Sequence, residues 1–197
     1  AAMPDDGILV AGMTQVGYYS RAYFPVYEPR TFLTSSYSGN LGFAYPTALG
    51  AKVAQPDKAV VALSGDGGFL FNSQELATAV QHEINAVVVV FNDNAFGNVL
   101  RDQVRNRGGR VIGSELHNPD FVKLAAAYGI EGWHLKRTAD IDKILTKMLA
   151  YDEGPSIVHC HCEKEDNVFP MIPAGAALHE MLIEPPKHKL AKPTGST

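Results

Sequence analysis

The chain has 197 residues, 46% of them apolar and 19% charged, a size and composition that suit one domain with a buried core. Its net charge of −4, with no long basic run, argues against a nucleic-acid partner. The longest apolar run, Ala86 to Phe91, falls far short of the ~20 residues that cross a bilayer, so no membrane span is expected. No basic segment leads into an apolar one at the N-terminus, so no signal peptide is expected. The two cysteines, Cys160 and Cys162, sit too close on one strand to staple a fold, and a cytoplasmic location is the expectation.

Taken in chain order, short β-branched apolar runs alternate with longer amphipathic ones. Strands are expected at 8–11, 31–34, 59–63, 86–91, 130–134 and 156–160. Helices are expected at 16–23, 41–54, 73–82, 98–107, 119–128 and 138–150. The stretch "NPDF" reads as a helix start, with Asn118 as N-cap and Pro119 in the first turn, and "YGI" at 128–130 as its glycine stop. Strands that are apolar throughout indicate an α/β fold, a parallel sheet of about six strands with helices on both faces. One domain is expected over 1–182, with 183–197 as a loose C-terminal tail.

In such sheets ligands bind beyond the carboxyl ends of the strands, and the sharpest motifs lie there. Gly65, Gly67 and Gly68 let backbone N–H groups approach an anion next to a helix start. Asp66, among them, makes chemical sense only with a cation between it and that anion. Magnesium takes one or two carboxylates together with phosphate oxygens. Asp93, Asn92 or Asn94, at the end of the next strand, can supply a second oxygen, and a nearby loop carbonyl a third.

"GDG" at 65–67, followed after 24 residues by "ND" at 92–93, resembles the signature of thiamine-diphosphate enzymes. The resemblance implies thiamine diphosphate and Mg2+ as cofactors, held in the fold of that family. It places the metal on Asp66, Asp93 and the carbonyl of Ala95, with aspartate at 93 where the family carries asparagine. Other segments resemble acetohydroxyacid (acetolactate) synthase large subunits: "GNLGF" at 39–43, "PTALGA" at 46–51, "HNPDFVKLAAAYGI" at 117–130 and "NVFPMIPAGAALHEML" at 167–182. By that resemblance Leu41 wedges the cofactor into a bent shape and the Gly39 carbonyl holds its aminopyrimidine. Bending brings the proton-abstracting nitrogen close to the reactive carbon, a gain from proximity. Without the family, Leu41 reads as a core leucine opening a helix. Val16 and Gly17 in the loop after the first strand, and Phe96 and Gly97 after the metal loop, are also placed at the cofactor.

The resemblance weakens at Asn98 and Asp102, where the synthases carry Met and Trp near the substrate. These two are the substrate-pocket candidates, and they leave the choice of 2-oxo acid open. The glutamate that activates the cofactor lies in this family on a separate pyrimidine-binding domain, so no catalytic residue is assigned to this chain. The expected role is therefore the diphosphate- and Mg-binding domain of a 2-oxo-acid decarboxylase or carboligase. It would be inactive until a pyrimidine-binding domain of the same or another chain joins it, and the complete enzyme is expected to be a homo-oligomer. A fragment of a longer chain is preferred over a β-type subunit of a two-subunit decarboxylase. A nucleotide-binding Rossmann-like module is the remaining alternative, without the Gly-rich fingerprints that would support it.

Two further features invite chemistry. "HCHC" at 159–162 suggests zinc, but successive strand side chains alternate faces, so the four cannot converge on one ion. They are expected to be buried or half-buried strand residues. Glu75 is expected on a helix surface or interface.

Overall fold

The structure, a computed structural model, describes residues 3–35, 38–164, 168–173 and 175–184. Six strands form one all-parallel sheet: β1 Ile8–Ala11, β2 Phe32–Thr34, β3 Val60–Gly65, β4 Val87–Asn92, β5 Glu131–Leu135 and β6 Ser156–His161, in the order β2-β1-β3-β4-β6-β5. The helices are α1 Gln15–Tyr23, α2 Ala44–Ala54, α3 Asp66–Leu70, α4 Glu75–Gln81, α5 Gly97–Asn106, α6 Phe121–Ala127 and α7 Ile141–Ala150. No helix among the described residues is long and apolar enough to cross a membrane.

Both faces of the sheet are covered, which is why its strands are apolar at consecutive positions. Ile8, Val10, Val88, Val90 and Ile157 face one core, closed by Tyr45 and Ala48 of α2, Leu76 of α4 and Phe121 of α6. Leu9, Val61, Val87, Val89 and Val158 face the other, closed by Trp133, Met148 of α7 and Tyr151. The first crossover carries the chain from β1 outward to β2, and the next returns it past β1 to β3. The sheet therefore changes winding direction between β1 and β3, and a crevice opens beyond their carboxyl ends.

Three local expectations are corrected. The helix expected from Leu41 begins at Ala44, because Gly39 (φ 61°) and Gly42 (φ 82°) hold the preceding chain in the left-handed region, which a helix cannot use. Asn118 does not cap α6. Asp120 does, its Oδ1 accepting from Val122 N (3.0 Å) and Lys123 N (3.4 Å), while Asn118 turns to the sheet. A short helix, α3, follows β3 directly and places Asp66 in its first turn. Beyond the sheet, Met171 and Leu182 pair in an antiparallel bridge. Most of the segment expected to be a loose tail, 185–197, lies outside the described residues.

Candidate functional site

A cavity of about 320 Å³ lies at the winding switch, at the carboxyl ends of β1, β3 and β4. Gly39, Leu41, Gly65, Asp66, Gly67, Gly68, Asp93, Ala95, Phe96, Gly97 and Asn98 all line it, with Val16 from the start of α1. Predicted residues separated by up to 82 positions, Val16 and Asn98, thus meet in one crevice.

Asp66 is the fixed point. It is 2% exposed, and its carboxylate accepts from Gly67 N at Oδ1 (2.8 Å) and from Asn94 N at Oδ2 (2.8 Å). Asn118 Nδ2 adds a third bond to Oδ2 at 2.6 Å and bridges to Asn92 Oδ1 at 2.7 Å. Asn94 reaches back because its backbone is left-handed (φ 58°), a conformation that asparagine tolerates. Burial pushes the Asp66 carboxyl above its ordinary range, against the pull of the Gly67, Asn118 and Asn94 hydrogen bonds.

Asp93 faces the same space, with Oδ1 accepting from Ala95 N (3.1 Å). Burial raises its pKa first, and the charge of Asp66 raises it further. Two partly desolvated carboxylates that repel each other beside a loop carbonyl form a donor set suited to a hard dication. The cavity also holds donors that lack acceptors. Gln15 Nε2 and Arg101 Nη1 are buried without a hydrogen-bond partner, and both residues line it. An anion with several oxygens, as a diphosphate has, would satisfy them. These residues fit the magnesium and diphosphate that the sequence motif implies.

The remaining predicted residues divide. Leu41 is 40% exposed and precedes α2, so it is an apolar side chain standing in the cavity rather than a core leucine. Gly67 needs its hydrogen for packing, since a Cβ there would lie 2.3 Å from the Phe96 ring. Gly17 is outside the cavity lining. It packs under the β1 loop, where a Cβ would lie 2.1 Å from the Gly12 carbonyl oxygen. Asn98 belongs to a polar wall, donating to the Tyr18 hydroxyl (2.9 Å) and accepting from Arg101. Asp102, four positions along the same helix, is also outside the lining. It is bound to Asn106 and Arg107, which hold its carboxyl below its ordinary range. Glu75 is half-buried and accepts from the Thr78 hydroxyl (2.7 Å), a local helix contact.

Sequence reasoning missed Gln15, Arg101 and Asn118. Arg101 had a legible signal, a cation one helical turn after Asn98 on the helix that follows the metal loop. Asn118 had a misleading one, its resemblance to an N-cap.

The four residues of "HCHC" separate as strand alternation requires. His159 is buried, Cys160 half-buried, and His161 and Cys162 are exposed. Their expected burial thus holds only for the first pair, because β6 ends at His161. His159 Nε2 contacts Asn92 Nδ2 at 3.0 Å. Burial, with His161 and His134 beside it, pushes His159 down to about 4, so its ring is neutral at physiological pH.

Residues 12–160 match the family model described as the thiamine pyrophosphate enzyme C-terminal TPP-binding domain. The chain is 36% identical over 180 residues to the acetolactate synthase isozyme 2 large subunit of Escherichia coli, covering 91% of this chain and 33% of that protein. It is also 36% identical over 181 residues to the mitochondrial acetolactate synthase catalytic subunit of Aspergillus candidus, covering 91% and 26%. Among solved structures, a thiamine diphosphate-dependent 4-hydroxybenzoylformate decarboxylase of Rhodococcus jostii superposes with a TM-score of 0.75 at 28% identity, over 82% of this chain and 30% of that one. The chain thus spans about a third or less of the length of the relatives it matches. With the cavity, its paired carboxylates and these matches together, the chain belongs to the C-terminal TPP-binding domain family of thiamine pyrophosphate enzymes and is acetolactate-synthase-like.

Proposed function

We propose that this chain holds magnesium and the diphosphate of the cofactor in an enzyme that decarboxylates or ligates 2-oxo acids, and that it is inactive until a pyrimidine-binding domain completes the site. The observation that carries the reading is the meeting of Asp66 and Asp93 in a crevice whose buried donors, on Gln15 and Arg101, lack acceptors.

In this reading Asp66, Asp93 and the Ala95 carbonyl hold the dication. Gln15, Arg101 and the glycine-rich turn at 65–68 receive the diphosphate oxygens. Leu41, which lines the cavity, would support the bent form of the cofactor. Bound thiamine diphosphate supplies an electron sink for the carbanion left by decarboxylation. The protein's part is to fix that group and set the field around it. Tyr18, Asn98 and Arg101 give the substrate side a polar wall, with Asn98 standing where the synthases carry Met. Leu41 and Val99 line the cavity yet are 40% and 50% exposed, which suits a crevice completed by another domain.

The test has two stages. Calorimetry on the purified chain should show binding of thiamine diphosphate that requires magnesium, and none of NAD or ATP. Absence of magnesium-dependent binding would overturn the reading, and turnover by the chain alone would overturn its incompleteness. The full-length gene product, given pyruvate and a panel of other 2-oxo acids, then identifies the reaction by product mass. Acetolactate would mean ligation, and an aldehyde would mean simple decarboxylation.

A further inference from the structure

A second cluster of chemistry-bearing side chains lies at the carboxyl ends of β5 and β6, apart from the cavity lining. Strand alternation sends His159 and His161 to the same face of β6, and the parallel register sets His134 of β5 directly beside His159. The three rings pack closely, with centroids 4.1 Å apart for His159 and His161, 5.1 Å for His134 and His159, and 5.3 Å for His134 and His161. One ring nitrogen from each lies within 4.8 Å of the others. Asp120, at the start of α6, presents its carboxylate to the same point. Its Oδ1 is 3.5 Å from His134 Nε2 and 3.7 Å from His159 Nδ1.

We propose that His134, His159 and Asp120 form a site for a single transition-metal dication of the zinc type, with His161 holding the His134 ring in place. Four features on these residues support it. The first is spacing. A tetrahedral ion with bonds of roughly 2.0–2.1 Å puts its donors about 3.4 Å apart, close to the 3.5 Å and 3.7 Å that separate Asp120 Oδ1 from His134 Nε2 and His159 Nδ1.

The second is an unpartnered buried group. His159 is 3% exposed, and its Nδ1 is buried without a hydrogen-bond partner, on the side facing Asp120. The third is support around the donors. His161 Nε2 lies 3.1 Å from His134 Nδ1, so it can accept that N–H and leave Nε2 of His134 as the donor to a metal. The backbone N–H groups of Val122 and Lys123 fix the Asp120 carboxylate in turn. The fourth is access, because the His134 and Asp120 side chains are 31% and 35% exposed, so an ion can enter.

Imidazole nitrogen favours zinc and its neighbours over magnesium, so this site and the carboxylate crevice select different metals. Binding also balances in protons. Asn92 Nδ2 donates to His159 Nε2, because Asn92 Oδ1 is already taken by Asn118 and Asn94, so the neutral ring carries its proton on Nδ1. The metal takes the place of that proton, which moves to Nε2, and Asn92 releases its contact with the ring.

The test uses the untagged full chain with saturating magnesium, which keeps the carboxylate crevice filled. Equilibrium dialysis should find one zinc per chain, and cobalt in its place should give the visible absorption bands of a tetrahedral nitrogen and oxygen site. His134→Ala should weaken binding by at least 100-fold. Asp120→Asn, which retains the helix cap, and His161→Ala should each weaken it by 10–100-fold. The double variant Cys160→Ser and Cys162→Ser should bind as the parent does. Zinc that survives His134→Ala, or that leaves with the two cysteines, would overturn the proposal, as would no saturable binding. If the histidine variants fold poorly, ring nitrogen NMR of the parent decides. Zinc should move the signals of His134, His159 and His161 among the seven histidines, and movement confined to others would refute the site.

Discussion

Asn118 joins the buried Asp66 carboxylate to Asn92 of β4, and its removal gives a sharp test of the site's energetics. Asn118→Ala deletes a charge-assisted bond to Asp66 Oδ2 at 2.6 Å and a neutral one to Asn92 Oδ1 at 2.7 Å. The first contributes about 1.5–3 kcal/mol and the second about 0.5–1.5 kcal/mol. Both acceptors retain Asn94 N, at 2.8 Å and 3.3 Å, so neither is stranded. Asn118 also loses a cost, since its own Oδ1 is buried without a partner. The balance is a destabilisation of about 1–2 kcal/mol. It depends on pH in a defined direction. The bond favours ionised Asp66, so its loss raises a carboxyl that burial has already raised. The deficit is therefore full where Asp66 is ionised and shrinks as pH falls through its folded-state pKa, above the ordinary carboxylate range. Urea unfolding of the magnesium-free chain, followed by the single tryptophan, Trp133, at several pH values measures both quantities. A deficit below about 0.5 kcal/mol, or one that is flat with pH, would refute this account of Asp66.

Three other outcomes are expected. Asp93→Asn should stabilise the magnesium-free chain at neutral pH, because burial and Asp66 raise the Asp93 pKa. A carboxyl raised in the folded state loses stability as pH rises through that pKa, so the gain should vanish toward acid pH and narrow with magnesium, as thermal melts over about pH 4–8 would show. Gly67→Ala should cost about 1–3 kcal/mol by driving a methyl into the Phe96 ring, and Phe96→Leu in the same chain should recover part of it in urea unfolding. Leu41→Ala should change stability by less than about 1 kcal/mol, since its side chain is 40% exposed, yet lower kcat of the complete enzyme by roughly tenfold or more. An unchanged kcat would remove Leu41 from the cofactor.

The sequence by itself determined what is local. Six apolar runs gave six strands because the sheet is covered on both faces, and the glycines at 65, 67 and 68 marked the point where β3 gives way to α3 and presents Asp66 to the cavity. The spacing from Asp66 to Asp93 was legible because one βαβ unit separates them, with β3 and β4 paired side by side. Tertiary structure decided which distant residues share a point in space. Asn118 looks like a helix cap until the fold brings it within reach of Asp66, a stronger partner than the helix N-terminus that Asp120 already serves. Asp102 lies one turn beyond Asn98 on the same helix but leaves the cavity, because that turn carries it past the rim to where Asn106 and Arg107 bind its carboxylate. His134, His159 and His161 come together because β5 and β6 lie side by side in parallel, with His134 opposite His159. That pairing depends on how the α7 crossover packs, and no run of neighbouring residues encodes it.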